Sequence, residues 1–275
     1  MAPPAWLWKR LLRFSGNQRG QELLWRGVDL SLNLLGIGPG GFVVSSGEGA
    51  LLGRLQKQHA QTGLPLCIFD VGAHHGEFLR EVIQPLTELG LPYQTHAFEP
   101  SPVSYEVLRQ AYGDRANFFL NNFALGAEPG ESTLYADSAG SDLASLSRRR
   151  LDHFGMAFDH AEQVKVRTLD DYCLEKSVGT IDLLKLDVEG HELEVMQGAS
   201  RMFREHRVRM MSFEFGGTNI DSRTFFQDYW YFINANRIGT IHRMTPSGYL
   251  APVTEYKEIY EQFRPTVFVV LQPAD

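Results

Sequence analysis

The fold is decided by the stretch Ile68-Phe69-Asp70-Val71-Gly72-Ala73-His74-His75-Gly76-Glu77-Phe78, in which an apolar run ends on an acid and passes into two glycines. This pattern predicts a strand, a tight turn and the start of a helix, because glycine tolerates backbone angles and close approaches that other residues do not. The first N–H groups of a helix have no partner inside it, so they can bind a ligand. We expect this corner to hold a small, polar, nucleotide-like molecule.

A second acid, Glu99, ends the next apolar run, in Ala97-Phe98-Glu99-Pro100, and follows Gly76 by 23 residues. In Rossmann-type sheets an acid about 20 residues beyond the glycine turn binds the ribose hydroxyls. The glycines here have the spacing Gly72-x-x-x-Gly76 and not the G-x-G-x-x-G of pyrophosphate-binding loops. The strand, glycine turn and acid are also found in nucleotide-dependent oxidoreductases, but the glycine spacing makes this enzyme class the less favoured interpretation.

Composition narrows the class of protein further. The chain has 275 residues with 43% hydrophobic content, enough for one α/β domain with an added segment. A net charge of −7 argues against nucleic acid as an obligate partner, since phosphate binding needs a basic face. Two cysteines provide no disulfide framework, and no apolar run approaches the roughly 18 residues of a membrane span. We expect a cytoplasmic protein.

The first 60 residues differ in charge from the rest. They contain seven Lys or Arg against three Asp or Glu, a net charge of +4 that leaves about −11 for the remainder. Apolar side chains from Trp6 to Phe14 alternate with cations at helical spacing, which suits an anionic membrane surface. We prefer a helix packed on the main domain or on a second subunit, which would make the protein a homo-oligomer. Glycines between residues 36 and 49 predict a division into a helical extension, 1–48, and a domain, 49–275.

Short apolar runs alternate with amphipathic segments beyond this division. The predicted strands are 66–71, 94–98, 116–123, 181–186, 208–215, 238–243 and 267–271, the last a candidate antiparallel edge strand. Helical candidates between most of them predict an α/β fold with a mostly parallel seven-stranded sheet covered on both faces. Segment 137–160, with many serines and three consecutive arginines, is either a lid over a site or a solvated loop.

Polar side chains follow the predicted parallel strands. They are Asp70, Glu99, Asn121 with Asn122, Asp187 with Glu189, and Glu214. Ligands of open α/β sheets bind at the carboxyl ends of the strands, so we expect these side chains to surround a ligand. Asp187 and His191 are candidate general bases, since histidine titrates near neutral pH. The plainer interpretation makes His191 a surface residue and Glu192 a favourable acid at a helix start.

Taken in order, these residues resemble the FkbM family of S-adenosylmethionine-dependent methyltransferases. The matching blocks are Asp70-Val71-Gly72-Ala73-x-x-Gly76-x-Phe78, Phe98-Glu99-Pro100, Asn122-x-Ala124-Leu125-Gly126 and Leu184-Lys185-Leu186-Asp187-Val188-Glu189-Gly190-x-Glu192. They cover about residues 65–215, so we expect the choice of acceptor to depend on the rest of the chain. The family commonly has Asn where this chain has His74.

The resemblance implies a class I methyltransferase (Rossmann-like) fold that binds S-adenosyl-L-methionine, and it implies roles for particular residues. Asp70 would bind the cofactor's ammonium group directly or through water, and Glu99 both ribose hydroxyls. Asp187 would face the amino-acid end of the cofactor and the acceptor. The other cofactor-binding residues would be Gly72, Ala73, His74, Gly76, Pro100, Asn122 and Ala124.

A hydroxyl acceptor needs a base, because it is a poor nucleophile while protonated. We expect Asp187 or His191 to take the proton, with Glu189 and Glu214 orienting the acceptor. The same acids offer hard oxygen ligands, so Mg2+ at Asp187, Glu189 and Glu214 is a variant of this hypothesis.

The resulting prediction is O-methylation of a small molecule, natural product or glycan. N-methylation and a non-catalytic cofactor-binding scaffold are the alternatives. We expect the run Gly216-Gly217-Thr218-Asn219 to face the acceptor.

Overall fold

The computed structural model describes residues 4–41 and 43–272. Its strands are β1 Leu66–Val71, β2 Tyr93–Phe98, β3 Phe118–Asn121, β4 Ala124–Leu125, β5 Gly130–Ala136, β6 His160–Arg167, β7 Leu183–Leu186, β8 Met210–Phe215, β9 Thr240–Met244, β10 Leu250–Pro252 and β11 Thr266–Leu271. Its α-helices are α1 Ala5–Ser15, α2 Gln18–Leu35, α3 Val43–Ser46, α4 Leu51–Thr62, α5 Gln84–Glu88, α6 Pro102–Tyr112, α7 Leu169–Glu175, α8 Glu192–Gln197, α9 Ser200–Arg204, α10 Thr218–Ser222 and α11 Phe226–Ala235.

The main sheet has the strand order β10-β9-β11-β8-β7-β1-β2-β3. The five strands from β8 to β3 run parallel, and β11, β9 and β10 continue the sheet in alternating antiparallel directions. The α/β prediction is confirmed. The predicted strand count is wrong by one, because β10 is a three-residue strand ending in proline and carries too little pattern to be found. The final strand is antiparallel, as predicted, but lies inside the sheet between β8 and β9 and not at its edge.

Both faces of the sheet are covered. Phe69 and Val71 of β1 belong to one apolar cluster, together with side chains of α7, α8, α9 and α11. Leu66 and Ile68 of the same strand belong to a second cluster, formed with α4, α5 and α6. Alternate residues of a strand point to opposite faces, so a continuous apolar run such as β1 is what a sheet buried on both sides requires.

The run 116–123, predicted as one strand, is longer than the strand that the structure shows, because the chain passes there from the main sheet to a second sheet. The run 116–123 pairs with β2 only as β3, and the chain then continues as β4 in a separate sheet of order β4-β6-β5. Strands β5 and β6 are antiparallel, and the irregular segment 137–159 connects them. This segment folds back on its own sheet, since Tyr135 and Ser145 exchange two backbone hydrogen bonds. Its position makes it a long hairpin connection above the main sheet.

Helices α1 and α2 form a hairpin, residues 4–35, that stands away from the body. Gly20 is its one buried residue among those whose side chains are described. The prediction that α1 packs on the main domain is therefore wrong for the described residues. Asp29 forms an ion pair with Arg264 of the body at 2.8 Å. Close backbone contact with the body begins near Gly36, whose φ is +87° and where a Cβ would lie 2.0 Å from the Met244 carbonyl oxygen. Beyond it, Ile37 and Glu48 are buried.

Within residues 4–41 and 43–272, none of the helices is both long enough and apolar enough to cross a bilayer.

Candidate active site

A cavity of about 680 Å³ opens at the carboxyl ends of the parallel strands. Its wall is contributed by the turn after β1, the β2 end, the β4 strand, segment 137–159, the loop after β7 and the loop after β8. Gly41, Phe263 and Pro265 close it from outside these regions. This is the edge of an open α/β sheet at which ligands bind.

The glycine turn is held by contacts within the protein. Gly72 has φ +83°, and a Cβ there would lie 1.8 Å from the Asp187 carbonyl oxygen. Gly76 also has φ +83°, and its Cβ would lie 2.7 Å from the Tyr112 ring. The close approaches that these glycines allow are made within the protein itself. Glycine is required because β1 and the loop after β7 approach each other closely, and because α6 packs on the turn.

The N–H groups of this turn are also committed within the protein. Those of Gly72 and Ala73 both donate to the Phe98 carbonyl oxygen at 3.0 Å, and that of Gly76 donates to the Ala73 carbonyl oxygen. The His74 N–H donates to Glu99 Oε2 at 2.8 Å. The turn therefore positions the carboxylate of Glu99 with its backbone.

Glu99 is one of the polar groups that this wall presents to the cavity, with His74 and Glu77. It is 6% exposed, and its second oxygen, Oε1, accepts from the Ser101 N–H at 2.9 Å. Each oxygen keeps a lone pair after these bonds, so the carboxylate can still accept from two further donors. Burial raises the pKa of Glu99 to about 7 against the opposing effect of the Ser101 and His74 N–H groups.

His74 joins the turn to the irregular segment. Its Nε2 lies 3.1 Å from the Gly140 carbonyl oxygen, and its ring stacks on that of His75 with centroids 3.7 Å apart. The hydrogen bond makes Nε2 the protonated nitrogen, because a carbonyl oxygen can only accept. The family's usual Asn is shorter, so the histidine at this position extends the turn to segment 137–159.

Asp70 does not line the cavity. It is fully buried, and its Oδ1 lies 3.4 Å from Lys185 Nζ, which also lies 3.1 Å from Asp187 Oδ2. Asp70 is therefore not placed to contact the cofactor's ammonium group directly. Instead, Lys185 stands between the two acids and holds Asp187 at the cavity. Burial raises the pKa of Asp70 to about 6, opposed by Lys185.

Several acids surround this lysine. Glu48 comes from the N-terminal part of the chain, is 4% exposed, and accepts from Ser46 Oγ at 2.9 Å. Burial raises its pKa to about 7, opposed by Lys185. Burial and then the charge of Asp187 raise the pKa of Glu214 well above its usual value. These acids, distant in sequence, therefore share one electrostatic environment.

Glu189 faces the same cavity from a left-handed backbone position, with φ +52°. Its side chain lies 3.1 Å from Arg149, and its carbonyl oxygen accepts from Ser145 Oγ at 2.7 Å. Burial and then Asp187 raise its pKa to about 8, although Arg149 opposes this. Segment 137–159 therefore covers the acids, which agrees with the lid interpretation and not with a solvated loop.

His191 lies apart from these acids. It lines the cavity, but an added Cβ on Gly126 would lie 3.2 Å from its Nε2, which places the ring beside the end of β4. Its Nδ1 is 3.6 Å from Glu194 Oε2. Burial lowers its pKa, so the imidazole is neutral at neutral pH.

Glu192 is buried behind the loop after β7 and does not reach the cavity. One oxygen accepts from the N–H groups of Val188 and Gly190, and the other accepts from the Tyr229 hydroxyl at 3.2 Å. Tyr229 in turn accepts from Asn219, which binds the Gly216 N–H at 2.8 Å. This chain of hydrogen bonds ties the loop after β7 to the loop after β8.

Most of the predicted site residues meet at this cavity. Those that line it are Gly72, Ala73, His74, Glu99, Pro100, Ala124, Asp187, Glu189, His191 and Glu214, together with Gly217 and Thr218 of the predicted acceptor-facing run. Asn122 does not line it, and its side chain instead donates to the carbonyl oxygens of Glu99 and Pro100. Phe123, next to it, lines the cavity in its place.

Sequence reasoning missed Lys185, Glu48 and Arg149 as site residues. Lys185 had a signal, because a lone cation inside the apolar strand Leu183–Leu186 must find a buried partner. Arg149 stood within the predicted lid without an assigned partner. Glu48 had no signal, because only the fold brings it to β7.

Among the described residues, one group brings three metal-ligand atoms within 4.8 Å of one another, namely His74, His75 and Glu77. Asp187, Glu189 and Glu214 do not form such a group there.

A nucleoside-sized cavity at the carboxyl edge of this sheet, with an acid after the second strand, defines a class I methyltransferase-like protein. Residues 70–238 match the family model of the methyltransferase FkbM domain. The chain belongs to the FkbM methyltransferase family.

Two individual proteins match the chain with low sequence identity. The chain is 28% identical over 149 residues to "2-O-methyltransferase NoeI" of Sinorhizobium fredii, over 51% of this chain and 60% of that protein. It is 30% identical over 123 residues to "Methyltransferase 1" of Beauveria bassiana, over 37% of this chain and 47% of that protein. The chain thus spans about half the length of these relatives.

A solved FkbM methyltransferase from Methylobacillus flagellatus KT aligns with a TM-score of 0.47 and 18% identity, over 76% of this chain and 46% of that one.

The residues present fit S-adenosylmethionine, the cofactor of this class. Glu99 has two free acceptor positions for ribose hydroxyls, and Phe123 and Leu125 provide apolar surface for a flat base. Asp187 places a carboxylate at the other end of the cavity, where it can pair with a positively charged amino group.

Proposed function

We propose that the protein is an S-adenosylmethionine-dependent O-methyltransferase acting on a hydroxyl of a small molecule, natural product or glycan. One observation carries the proposal: a single cavity contains both Glu99 and the acids Asp187, Glu189 and Glu214. A nucleoside-binding acid and a group of candidate proton acceptors thus face the same space. Membership of the FkbM family supports methyl transfer, and the name of the Sinorhizobium fredii relative supports oxygen as the acceptor atom.

The division of labour within the cavity follows from its geometry. S-adenosylmethionine supplies, when bound, a sulfonium methyl group already activated toward an oxygen nucleophile. Asp187, 37% exposed and held by Lys185, takes the proton of the acceptor hydroxyl as the oxygen–carbon bond forms. We prefer it to His191 because His191 lies beside β4 and its Nδ1 is directed to Glu194, whereas the charge of Asp187 acts on both Glu189 and Glu214. Glu189, with a pKa raised to about 8, holds a proton near neutral pH and donates a hydrogen bond that orients the acceptor, and Glu214 lines the same space.

The charge of the cavity limits the acceptor class. Asp187, Glu189 and Glu214 line it, whereas Arg149 and Lys185 are engaged with Glu189 and Asp187. A carboxylate or phosphate would be repelled by the Asp187 carboxylate, whereas Glu189, protonated near neutral pH, offers a hydrogen-bond donor that suits a neutral oxygen. We therefore propose a neutral, hydroxyl-rich acceptor such as a sugar.

The test has two stages. Calorimetry with S-adenosylhomocysteine should detect binding, and a labelled-methyl screen of sugars, polyketides and peptides should detect transfer to a hydroxyl. Absence of binding would reject the cofactor. Binding with transfer to amines alone would make the protein an N-methyltransferase.

Mg2+ assistance stays a prediction of the sequence. Loss of transfer in a chelator and its return with Mg2+ would support it, and unchanged turnover would remove it.

We also propose that the extension ends near Gly36 and not at residue 48. Buried Ile37 and Glu48 support this division.

A further inference from the structure

The helical hairpin, residues 4–35, exposes an unusual amount of apolar surface. Of the 24 large apolar side chains exposed among the described residues, twelve lie in this one eighth of the chain. They are Trp6, Trp8, Leu11, Leu12, Phe14, Leu23, Leu24, Trp25, Val28, Leu30, Leu34 and Leu35. Apolar patches of this size on a protein surface mark a binding surface.

Cations accompany these side chains. The hairpin contains Lys9, Arg10, Arg13, Arg19 and Arg26 against Glu22 and Asp29, a net charge of +3 that leaves −10 for the rest of the chain. Asp29 lies 2.8 Å from Arg264 of the body. The hairpin is thus the basic part of an acidic protein.

The cations and apolar groups of α1 separate on the helix. At 100° per residue, Lys9, Arg10 and Arg13 fall on one side, and Trp8, Leu11 and Leu12 fall on the other. Trp6 is the exception, since it lies on the cationic side with its ring centroid 6.0 Å from the Arg10 guanidinium carbon. A helix of this kind lies in the plane of a membrane surface, with the apolar face among the acyl chains and the cations at the headgroups. Tryptophan favours this boundary, and Trp6, Trp8 and Trp25 are each more than half exposed.

We propose that the hairpin binds the protein to an anionic phospholipid surface, lying flat on it without crossing. Charge complementarity selects this occupant over a second copy of the chain, because two facing hairpins would bring ten cations together. Helix α2, at 1.5 Å per residue, would lie along about 27 Å of the surface.

The chain contains its own probe for this binding. Three of its four tryptophans, Trp6, Trp8 and Trp25, are in the hairpin, and the fourth is Trp230 of α11. Transfer of exposed indoles to an acyl boundary should shift their emission to shorter wavelength. We would titrate the full chain with vesicles of phosphatidylcholine, alone or with about one third phosphatidylglycerol, and measure emission and co-sedimentation.

We expect binding to the anionic vesicles that is at least tenfold tighter than to neutral ones and weakens as salt rises. Arg10→Glu with Arg13→Glu should reduce it about tenfold or more, because each juxtamembrane cation contributes on the order of a fivefold factor. Trp8→Ser with Leu12→Ser should reduce it comparably. The matched controls on the body are Lys165→Glu with Arg204→Glu for charge, and Leu174→Ser with Ile259→Ser for apolar exposure, all at exposed positions.

The hairpin variants should leave thermal unfolding of the body unchanged, since these side chains are exposed. Absence of binding to anionic vesicles would overturn the proposal. So would equal binding by the hairpin variants and the wild type. A dimer in ultracentrifugation that Trp8→Ser with Leu12→Ser dissociates, without lipid binding, would show that a second copy covers the surface instead. None of these results depends on methyl transfer, so they test the proposal separately from the proposed function.

Discussion

The two walls of the cavity are built on different principles. One wall, the turn after β1 and the end of β2, is made within 31 residues and held by backbone hydrogen bonds that aim Glu99. The opposite wall combines Asp187 and Glu189 after β7 with Glu214 of β8, and Lys185 pairs with Asp187 close to the buried Glu48 from the N-terminal part of the chain. The first wall therefore depends on backbone shape, and the second depends on the balance of buried charge. Substitutions should separate these two dependences.

Gly72→Ala should have the largest effect, because it attacks the backbone of the first wall. The added Cβ would lie 1.8 Å from the Asp187 carbonyl oxygen at a φ of +83°, so β1 and the loop after β7 must separate. We expect a loss of about 4 kcal/mol or more in the free energy of unfolding, or no soluble protein. Gly63→Ala is the matched control, since its φ is +66° with no atom within 4 Å. It should cost about 1 kcal/mol in urea denaturation. Equal losses would refute the close-contact argument.

Asp187→Asn tests the second wall through chemistry. Loss of a general base lowers turnover by about 100-fold or more, while binding of S-adenosylhomocysteine should change only severalfold. Turnover would be measured by labelled-methyl transfer to the acceptor that the screen identifies. His191→Ala is the comparison and should keep turnover within about threefold. If instead His191→Ala loses turnover and Asp187→Asn keeps it, the base is His191 and the acids serve only to orient the acceptor.

Glu99→Ala tests the first wall through cofactor affinity. It removes the acceptor that we propose for ribose hydroxyls and leaves the His74 and Ser101 N–H groups without their carboxylate. We expect calorimetry with S-adenosylhomocysteine to show an affinity lower by about 10- to 100-fold, the value of one to two hydrogen bonds to a charged group. Glu106→Ala, at an acid on α6 whose side chain is 47% exposed, should leave affinity unchanged. Unchanged affinity in Glu99→Ala would remove this residue from the cofactor site.

Glu192→Gln should have the smallest effect, on the pH dependence of stability. Burial raises the pKa of Glu192 to about 7 from an ordinary 4.5, so the folded state holds a proton that the unfolded state releases. Its contribution is complete below pH 4.5 and is lost as pH rises through 7. We expect the fall in Tm between pH 5 and 8 to shrink by about 3 °C or more in the variant, which cannot titrate. Glu106→Gln should leave this fall unchanged, because its pKa is lowered to about 2 by Arg109. If the curve of Tm against pH for Glu192→Gln runs parallel to that of the wild type, the Glu192 carboxyl does not titrate in that range.

Prediction from the sequence succeeded where the signal was local. The bounds of β1 and β11 were found to within one residue, because buried strands are continuous apolar runs between turn residues. The run 116–123 was too long, since apolar composition cannot distinguish one sheet from the next. The ten predicted residues that line the cavity were located by the rule that ligands bind at strand ends. Their individual roles stay predictions.

What the sequence by itself determined is the α/β class, the family and the positions of the acids, because strand periodicity, turn glycines and motif spacing are properties of neighbouring residues. Only the tertiary structure decided that Lys185 separates Asp70 from the cavity, that Glu48 joins the acids, and that the N-terminal hairpin stands exposed. These facts depend on which distant segments share a low-dielectric environment and which remain in water. Burial and charge pairing across the fold set that distribution, and spacing along the chain does not encode it.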